Sequence, residues 1–501
     1  MTKRYSAREL IDLVVDEGTF ESWDTEPITP AAGISEEYAA ELAAASEKSG
    51  ADEAILTGEG RVRGRRVAIV ASEFRFLAGS IGIAAAERLT AAVERATAEG
   101  LPLLAGPASG GTRMQEGTVA FLSMVKITAA VNDHRKAGLP ILVYLRHPTT
   151  GGVFASWGSL GHFSVAEPGA LVGFLGPRVY EELYGEPFPT NVQTGDNLHR
   201  RGLVDAVMGP ERLAETAAKA LDVLMGALEV PAPVDNPDTS PDPMPSGTNA
   251  WDIITASRDD NRPGVRELLR YGARNVLPLN GTGQGEKDRG MILALATFGS
   301  APCIVLGQDR RGQRKYEPMG PAALREARRG MRLADELHIP LVTVIDTPGA
   351  ALSKDAEEGG LAGEIARSLS DLIALKAPTV SVILGEGSGG GALALIPADR
   401  VLSAENGWLS PLPPEGASAI VHRTKDYAAD MAQAQQVHCE KLVEHGIVDR
   451  VIAEKPNAAV EPREFSERVA QTLEYEIINL MRVHPSRRRY QRIDRYRKLG
   501  V

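Results

Sequence analysis

Two short runs of small residues mark where this sequence can do chemistry: Thr150-Gly151-Gly152-Val153 and Gly390-Gly391-Ala392-Leu393. Each follows a β-rich run, residues 140–144 or 379–384, and opens a stretch that reads as a helix. A strand that ends in small residues and enters a helix leaves backbone N–H groups unpaired at the helix start. Glycine lets a ligand approach that backbone closely, and the helix dipole adds positive potential. Such amides can hold an oxygen that carries or develops negative charge. Losing one donor of an oxyanion hole costs about 100- to 1,000-fold in rate. The bland alternative is that the glycines only allow tight helix–strand packing. It is preferred for one cluster alone and loses ground when two clusters recur in register.

The chain does repeat itself around them. A helix-like segment from Ile81, IGIAAAERLTAAVERATAEGLPLLAGPASGG, has a counterpart from Met319, MGPAALREARRGMRLADELHIPLVTVIDTPGA. Gly82 to Ser109 is 27 residues, as is Gly320 to Thr347; Gly111 to Gly152 is 41, and Gly349 to Gly391 is 42. Ala-Glu follows each cluster, at 166–167 and 404–405. Three spacings in step indicate duplicated domains. Alternating strands and helices imply parallel sheets. Runs such as IPLVTVID and PTVSVIL suit strands buried on both faces.

The remaining features narrow the function by exclusion. At 501 residues the chain holds about three ordinary domains or two large ones. A break is expected at residues 231–245, where six of 15 positions are Pro. The resulting division is residues 1–230, a Pro-rich linker at 231–260, and residues 261–501. A net charge of −11 makes general nucleic-acid or anionic-membrane binding a poor fit. Cys303 and Cys439 are too few for a disulfide framework or a four-thiolate zinc site, no metal is expected, and the usage fits a cytoplasmic protein. No apolar run is long enough for a membrane span, and the N-terminus reads as a helix. Residues 385–390 match G-x-G-x-x-G, but they follow at least two βα units where a dinucleotide fingerprint opens its domain. Neither a phosphate-binding G-x-x-x-x-G-K-[ST] loop nor a G-x-S-x-G elbow occurs. His147 and His162 flank the first cluster as orienting or packing residues, with a general-base role as the alternative.

At these residues the chain resembles the carboxyltransferase component of acetyl-CoA carboxylase, with the bacterial β subunit fused to the α subunit. SARELIDLVVDEGTFESWD, SGGTRMQEG and PTTGGVFASWGSLGH are similar to the β subunit; REARRGMRLADELHIPLVTVIDTPGA, GEGSGGGALAL and PLPPEGASAI are similar to the α subunit. The resemblance implies an α/β fold of two duplicated crotonase-like spiral domains built from ββα units. It implies transfer of a carboxyl group from carboxybiotin, borne on a separate carrier protein, to acetyl-CoA, giving malonyl-CoA for fatty-acid synthesis. Biotin carboxylase and biotin carboxyl carrier protein would be partners, and the assembly a dimer or a trimer of dimers. In that reading Gly151 and Gly152 hold the thioester oxygen and Gly391 and Ala392 the biotin carbonyl. Ser109, Gly110, Gly111 and Arg113 shape the CoA cleft, and Arg325 anchors the transferring carboxylate or is simply a solvated helix arginine.

The four-cysteine zinc ribbon of the β subunit is missing ahead of Ser6-Ala7-Arg8, and ALSKDAEEGG follows DTPGA where the α subunit has a YPG-like stretch. The tail at 482–498, with eight Lys and Arg and one acid, reads as a docked helix at a subunit interface. Carboxylation of propionyl-CoA or a longer acyl-CoA is the nearest alternative. A catalytically silent scaffold subunit is the alternative of another class; a biotin-dependent decarboxylase or an enoyl-CoA hydratase is weaker.

Overall fold

The computed structural model describes residues 4–29, 33–241 and 249–500. It separates into two compact units, Met1–Leu221 with Gly283–Gly285, and Asp222–Thr282 with Glu286–Val501. In the first unit a sheet runs in the order β1 (Glu21–Ser22), β2 (Ile55–Val62), β3 (Arg65–Ser72), β4 (Leu103–Gly106), β5 (Ile141–Leu145), β7 (Phe163–Ala166), β9 (Ala206–Val207). The first three strands are antiparallel and the rest parallel. A separate parallel pair joins β6 (Thr149–Thr150) to β8 (Val172–Gly173).

The second unit repeats the plan. Its order is β10 (Ala273–Leu279), β11 (Met291–Phe298), β12 (Ala301–Gln308), β13 (Leu341–Thr347), β14 (Thr379–Ser388), β15 (Arg400–Ala404), β17 (Arg450–Ile452), with β16 (Trp408–Ser410) paired to the end of β14. β12 and all later strands are parallel. Each sheet carries a long helix, Ile83–Ala98 or Pro321–Leu337, that starts from an uncapped glycine, Gly82 or Gly320. Apolar side chains from helices and strands form each core: Leu89 and Val93 meet β4 and β5 in the first, and in the second Phe465 and Leu473, from a further helix Pro462–Met481, meet β12 to β15.

Matched pairs fix the repeat register. Ile81 bridges to Thr112 as Met319 bridges to Ala350, and the Ser109–Thr149 bridge matches the Thr347–Gly387 pair at the end of the β13–β14 ladder. All four positions are offset by 238 residues. Gly151 therefore corresponds to Gly389 and Gly152 to Gly390. The sequence spacing paired Gly152 with Gly391 instead, one residue too far along.

The Pro-rich linker is corrected in two respects. Residues 231–241 lack regular structure, yet they are pinned to the second unit: Thr239 is buried, accepts from the Ala453 amide and meets the Thr472 hydroxyl at 3.2 Å. Residues 242–245 lie outside the described residues. From Ala250 to Ser257 the chain is helical, with the Asn249 side chain accepting from the Trp251 amide. Ala250 and Ile254 pack with buried Trp408, and the indole donates to the Ser257 hydroxyl. The apolar positions 250, 253 and 254 at helical spacing explain that packing.

The N-terminal helix Ala7–Val14 is present, with Ser6 and Glu9 forming a reciprocal capping box. The basic tail forms the helix Pro485–Arg497; Arg492 is buried against Asp399 and the carbonyls of Leu372, Leu375 and Ala377. Among the described residues no helix is long and apolar enough to cross a membrane.

Candidate functional site

Each unit builds a turn from two approaching segments. In the first, residues 109–112 leave β4 and meet the start of the helix Gly151–Phe154. The Ser109 hydroxyl accepts from the Gly111 amide at 3.0 Å, and the Gly110 amide donates to Ala78 O at 2.9 Å. In the second, the Thr347 hydroxyl accepts from the Gly349 amide at 3.1 Å beside the helix Gly389–Leu393. Gly151 and Gly389 both sit at left-handed φ, +61° and +63°, which a side chain would strain. A Cβ on Gly151 would also come within 3.2 Å of Gly111 Cα.

The available donors differ from the expected pairs. Gly151 cannot serve as drawn from sequence, because its amide already donates to Phe174 O at 3.0 Å. The Gly152 and Thr112 amides have no acceptor among the described residues. They lie close together: a Cβ on Gly152 would be 3.2 Å from Thr112 Oγ1. In the second turn the amides of Gly390, Gly391 and Ala350 are without acceptors among the described residues. A Cβ on Gly391 would lie 3.5 Å from the Ala350 nitrogen and 3.1 Å from Met319 Cε. Each turn thus sets a helix-start amide against an amide from the preceding loop, an arrangement suited to one oxyanion.

The charged residues lie beneath or beside these turns. Arg113 is 1% exposed and does not reach a surface cleft. It binds Glu53 through both terminal nitrogens, meets Glu116 at 3.3 Å and donates to Ser80 O at 2.9 Å. Burial opposes its charge, but Glu53 more than compensates and holds its pKa above the usual range. Its part in shaping a cleft is therefore to tie down the loop at Ser80. Arg325 likewise stands in a network, with Glu286 at 2.6 Å, Glu364 at 3.2 Å and Gly359 O at 2.7 Å. These contacts occupy its fork and leave it no evident duty at the second turn.

Neither flanking histidine presents itself as a base at the first turn. The His147 Nδ1 accepts from the Leu171 amide and the His162 Nδ1 from the Ile141 amide. Burial lowers the His147 pKa. Under the second turn Asp346 is enclosed, and burial raises its pKa to about 6 against the pull of Arg310.

Sequence reading missed Thr112, Ala350 and the buried polar residues Gln308, Gln313 and Asp346. A constant offset of 238 would have found the first two. The signal for Gln308 was a polar residue closing the apolar strand APCIVLG.

Comparison with known proteins agrees with this architecture. Residues 3–490 match the carboxyl transferase domain family. Over 498 residues the chain is 58% identical to a probable biotin-dependent acyl-coenzyme A carboxylase beta3 subunit of Mycobacterium tuberculosis, covering 99% of both chains. It is 35% identical to the acetyl-coenzyme A carboxylase carboxyl transferase subunits beta/alpha of Saccharopolyspora erythraea, covering 91% of this chain and 82% of that one. Transcarboxylase 12S, solved with hydrolysed methylmalonyl-coenzyme A bound, has the same fold at 22% identity and a TM-score of 0.73, covering 94% and 89% of the chains. Both units are crotonase-like, and the chain belongs to the carboxyl transferase domain family, the carboxyltransferases of biotin-dependent acyl-CoA carboxylases.

Proposed function

We propose that the chain moves a carboxyl group from carboxybiotin on a separate carrier protein to the α-carbon of an acyl-CoA. The reading rests on one observation: two acceptor-free amide cradles at equivalent places in a duplicated fold. Two cradles suit a reaction that develops two oxyanions, one on a thioester and one on a ureido carbonyl. The first unit, with Gly152 and Thr112, is assigned the acyl-CoA. The second, with Gly391, Ala392 and Ala350, is assigned biotin.

The residues present fit a ureido group. The second cradle offers only N–H donors to a carbonyl oxygen, and the missing side chain at Gly391 keeps the approach open beside Met319. Bound carboxybiotin supplies the carboxyl group, and its ureido nitrogen supplies the base for the α-proton. The protein's own work is then to hold both oxygens and position the two partners. No histidine or carboxylate is assigned the proton.

The acyl group is left at the level of class: acetyl-, propionyl- and longer acyl-CoA stand level. The 58% relative carries the broader acyl-CoA name and the 35% relative the acetyl-CoA one. One methylene in an apolar pocket changes binding by only about 1–3 kcal/mol. Biotin carboxylase and biotin carboxyl carrier protein are the proposed partners, the cytoplasm the proposed location, and a dimer or trimer of dimers the proposed assembly. The test is direct. The purified chain is mixed with carboxylated carrier and acetyl-, propionyl- or butyryl-CoA, and each carboxylated product is measured. Product from at least one acyl-CoA supports the reading. None, with a carrier proven competent by another transferase, leaves the scaffold alternative.

A further inference from the structure

We infer that Gln308 is a positioning residue that aims the Ala392 amide of the second cradle, an inference that rests on the biotin assignment above. Gln308 ends β12 and is fully buried. Its Nε2 donates to Gly391 O at 2.8 Å, and its Oε1 accepts from the Asp346 amide at 3.0 Å. Both partners are backbone groups with fixed roles, so the side-chain amide can face only one way. One side chain therefore fastens the end of β13 to the helix start that follows β14.

The consequence follows from peptide geometry. Gly391 C=O and Ala392 N–H belong to one planar trans peptide and point in opposite directions. Holding the carbonyl toward Gln308 turns the N–H to the other side. Glycine at 391 does little to fix this plane by itself. The helix Gly389–Leu393 is also too short to hold the Gly391 carbonyl through a following turn: the Leu395 amide bonds Ala392 O. Gln308 supplies the missing constraint.

Parallel pairing makes Ser72 the counterpart of Gln308 in the first unit, since Ala68 faces Leu103 as Ile304 faces Leu341. The Ser72 hydroxyl is buried without a hydrogen-bond partner. The clamp therefore belongs to the second cradle alone, and its loss should mark biotin handling and spare CoA.

The test compares the full-length wild type with Gln308→Leu and Gln308→Asn, the latter keeping the amide but withdrawing it by one methylene. Calorimetry reads affinity for free biotin and for CoA. Hydrogen exchange reads the segment 386–395. Biotin-dependent decarboxylation of the best carboxylated acyl-CoA reads rate. The expected result is biotin affinity down about 3- to 10-fold, faster exchange at 386–395, kcat down at least 10-fold, and CoA affinity within twofold. Unchanged biotin affinity and kcat in a folded variant, judged by thermal melting, overturn the inference. Loss of CoA affinity in step with biotin also overturns it, because that is a general structural defect. Should the Leu variant not fold, the Asn variant carries the same expectation. Gly391→Val separates the two claims: if it too leaves biotin handling intact, the biotin assignment itself fails; if it abolishes handling while the Gln308 variants do not, only the clamp fails.

Discussion

The two turns share a backbone and differ in what fastens it. In the first, a buried ion pair does the work: Arg113 lies between Glu53 and Glu116 and grips Ser80 O. In the second, two neutral amides do it. Gln308 spans Gly391 and Asp346, while Gln313 donates to Asp346 O at 3.2 Å and accepts from the Thr347 hydroxyl at 2.7 Å. The long helices differ in the same way. By the repeat offset, position 88 in the first corresponds to 326 in the second. Arg88 is paired twice with Asp52, whereas Glu326 is buried with one oxygen unpartnered. A duplicated fold has kept its donor geometry and exchanged the supports, which lets each turn be disturbed alone.

The largest effect should come from cutting the ionic support. Arg113→Leu strands Glu53 and Glu116 in the interior, and removing one partner of a buried pair costs about 3–5 kcal/mol. Urea unfolding followed by tryptophan fluorescence reads it. A loss below about 1 kcal/mol would mean the pair does not hold the first turn. Close behind comes closure of a cradle. Gly391→Val puts methyl groups against Met319 and the Ala350 amide, and biotin-dependent turnover should fall at least about 100-fold, the scale of a lost oxyanion donor. Turnover within about threefold of wild type would remove the second turn from the chemistry.

The buried glutamate gives a pH-dependent contrast. Burial raises the Glu326 pKa to about 7, whereas in the unfolded chain a glutamate ionises near ~4.3. A raised carboxyl pKa gives stability that is complete below about pH 4 and lost as pH rises through 7. Glu326→Gln should therefore flatten the stability profile between these values. At pH 8 it should be the more stable protein, by up to about 3 kcal/mol. Parallel profiles for the two proteins in chemical denaturation would refute this. The smallest effects are the matched hydroxyls. Ser109→Ala and Thr347→Val each remove the acceptor of a turn amide, and each should cost about 1 kcal/mol. Costs differing by more than about 2 kcal/mol would break the equivalence of the turns.

Much of this was legible in the sequence because glycine spacing and β-rich runs encode backbone. The duplicated α/β plan and both turns followed from them. What was not legible depends on side chains that meet only after folding. Arg113 looked like a cleft residue because its motif borders the turn, but its partner Glu53 lies 60 residues away in sequence. Gly391 was matched to Gly152 because three successive glycines, 389–391, leave the register ambiguous; the pairing of Thr347 with Gly387 at the end of the β13–β14 ladder resolves it. The Pro-rich composition of residues 231–245 concealed a docked segment, and the apolar spacing of the adjoining helix Ala250–Ser257 was too short a signal to offset it.

The central claim is a division of labour between the cradles, and paired binding isotherms test it most directly. Free biotin and CoA are titrated into wild type, Gly152→Val and Gly391→Val. The account predicts that the Gly391 variant loses biotin and keeps CoA within about threefold, and that the Gly152 variant keeps biotin and loses acyl-CoA turnover. Loss of both ligands in both folded variants, or the reverse assignment, would contradict it.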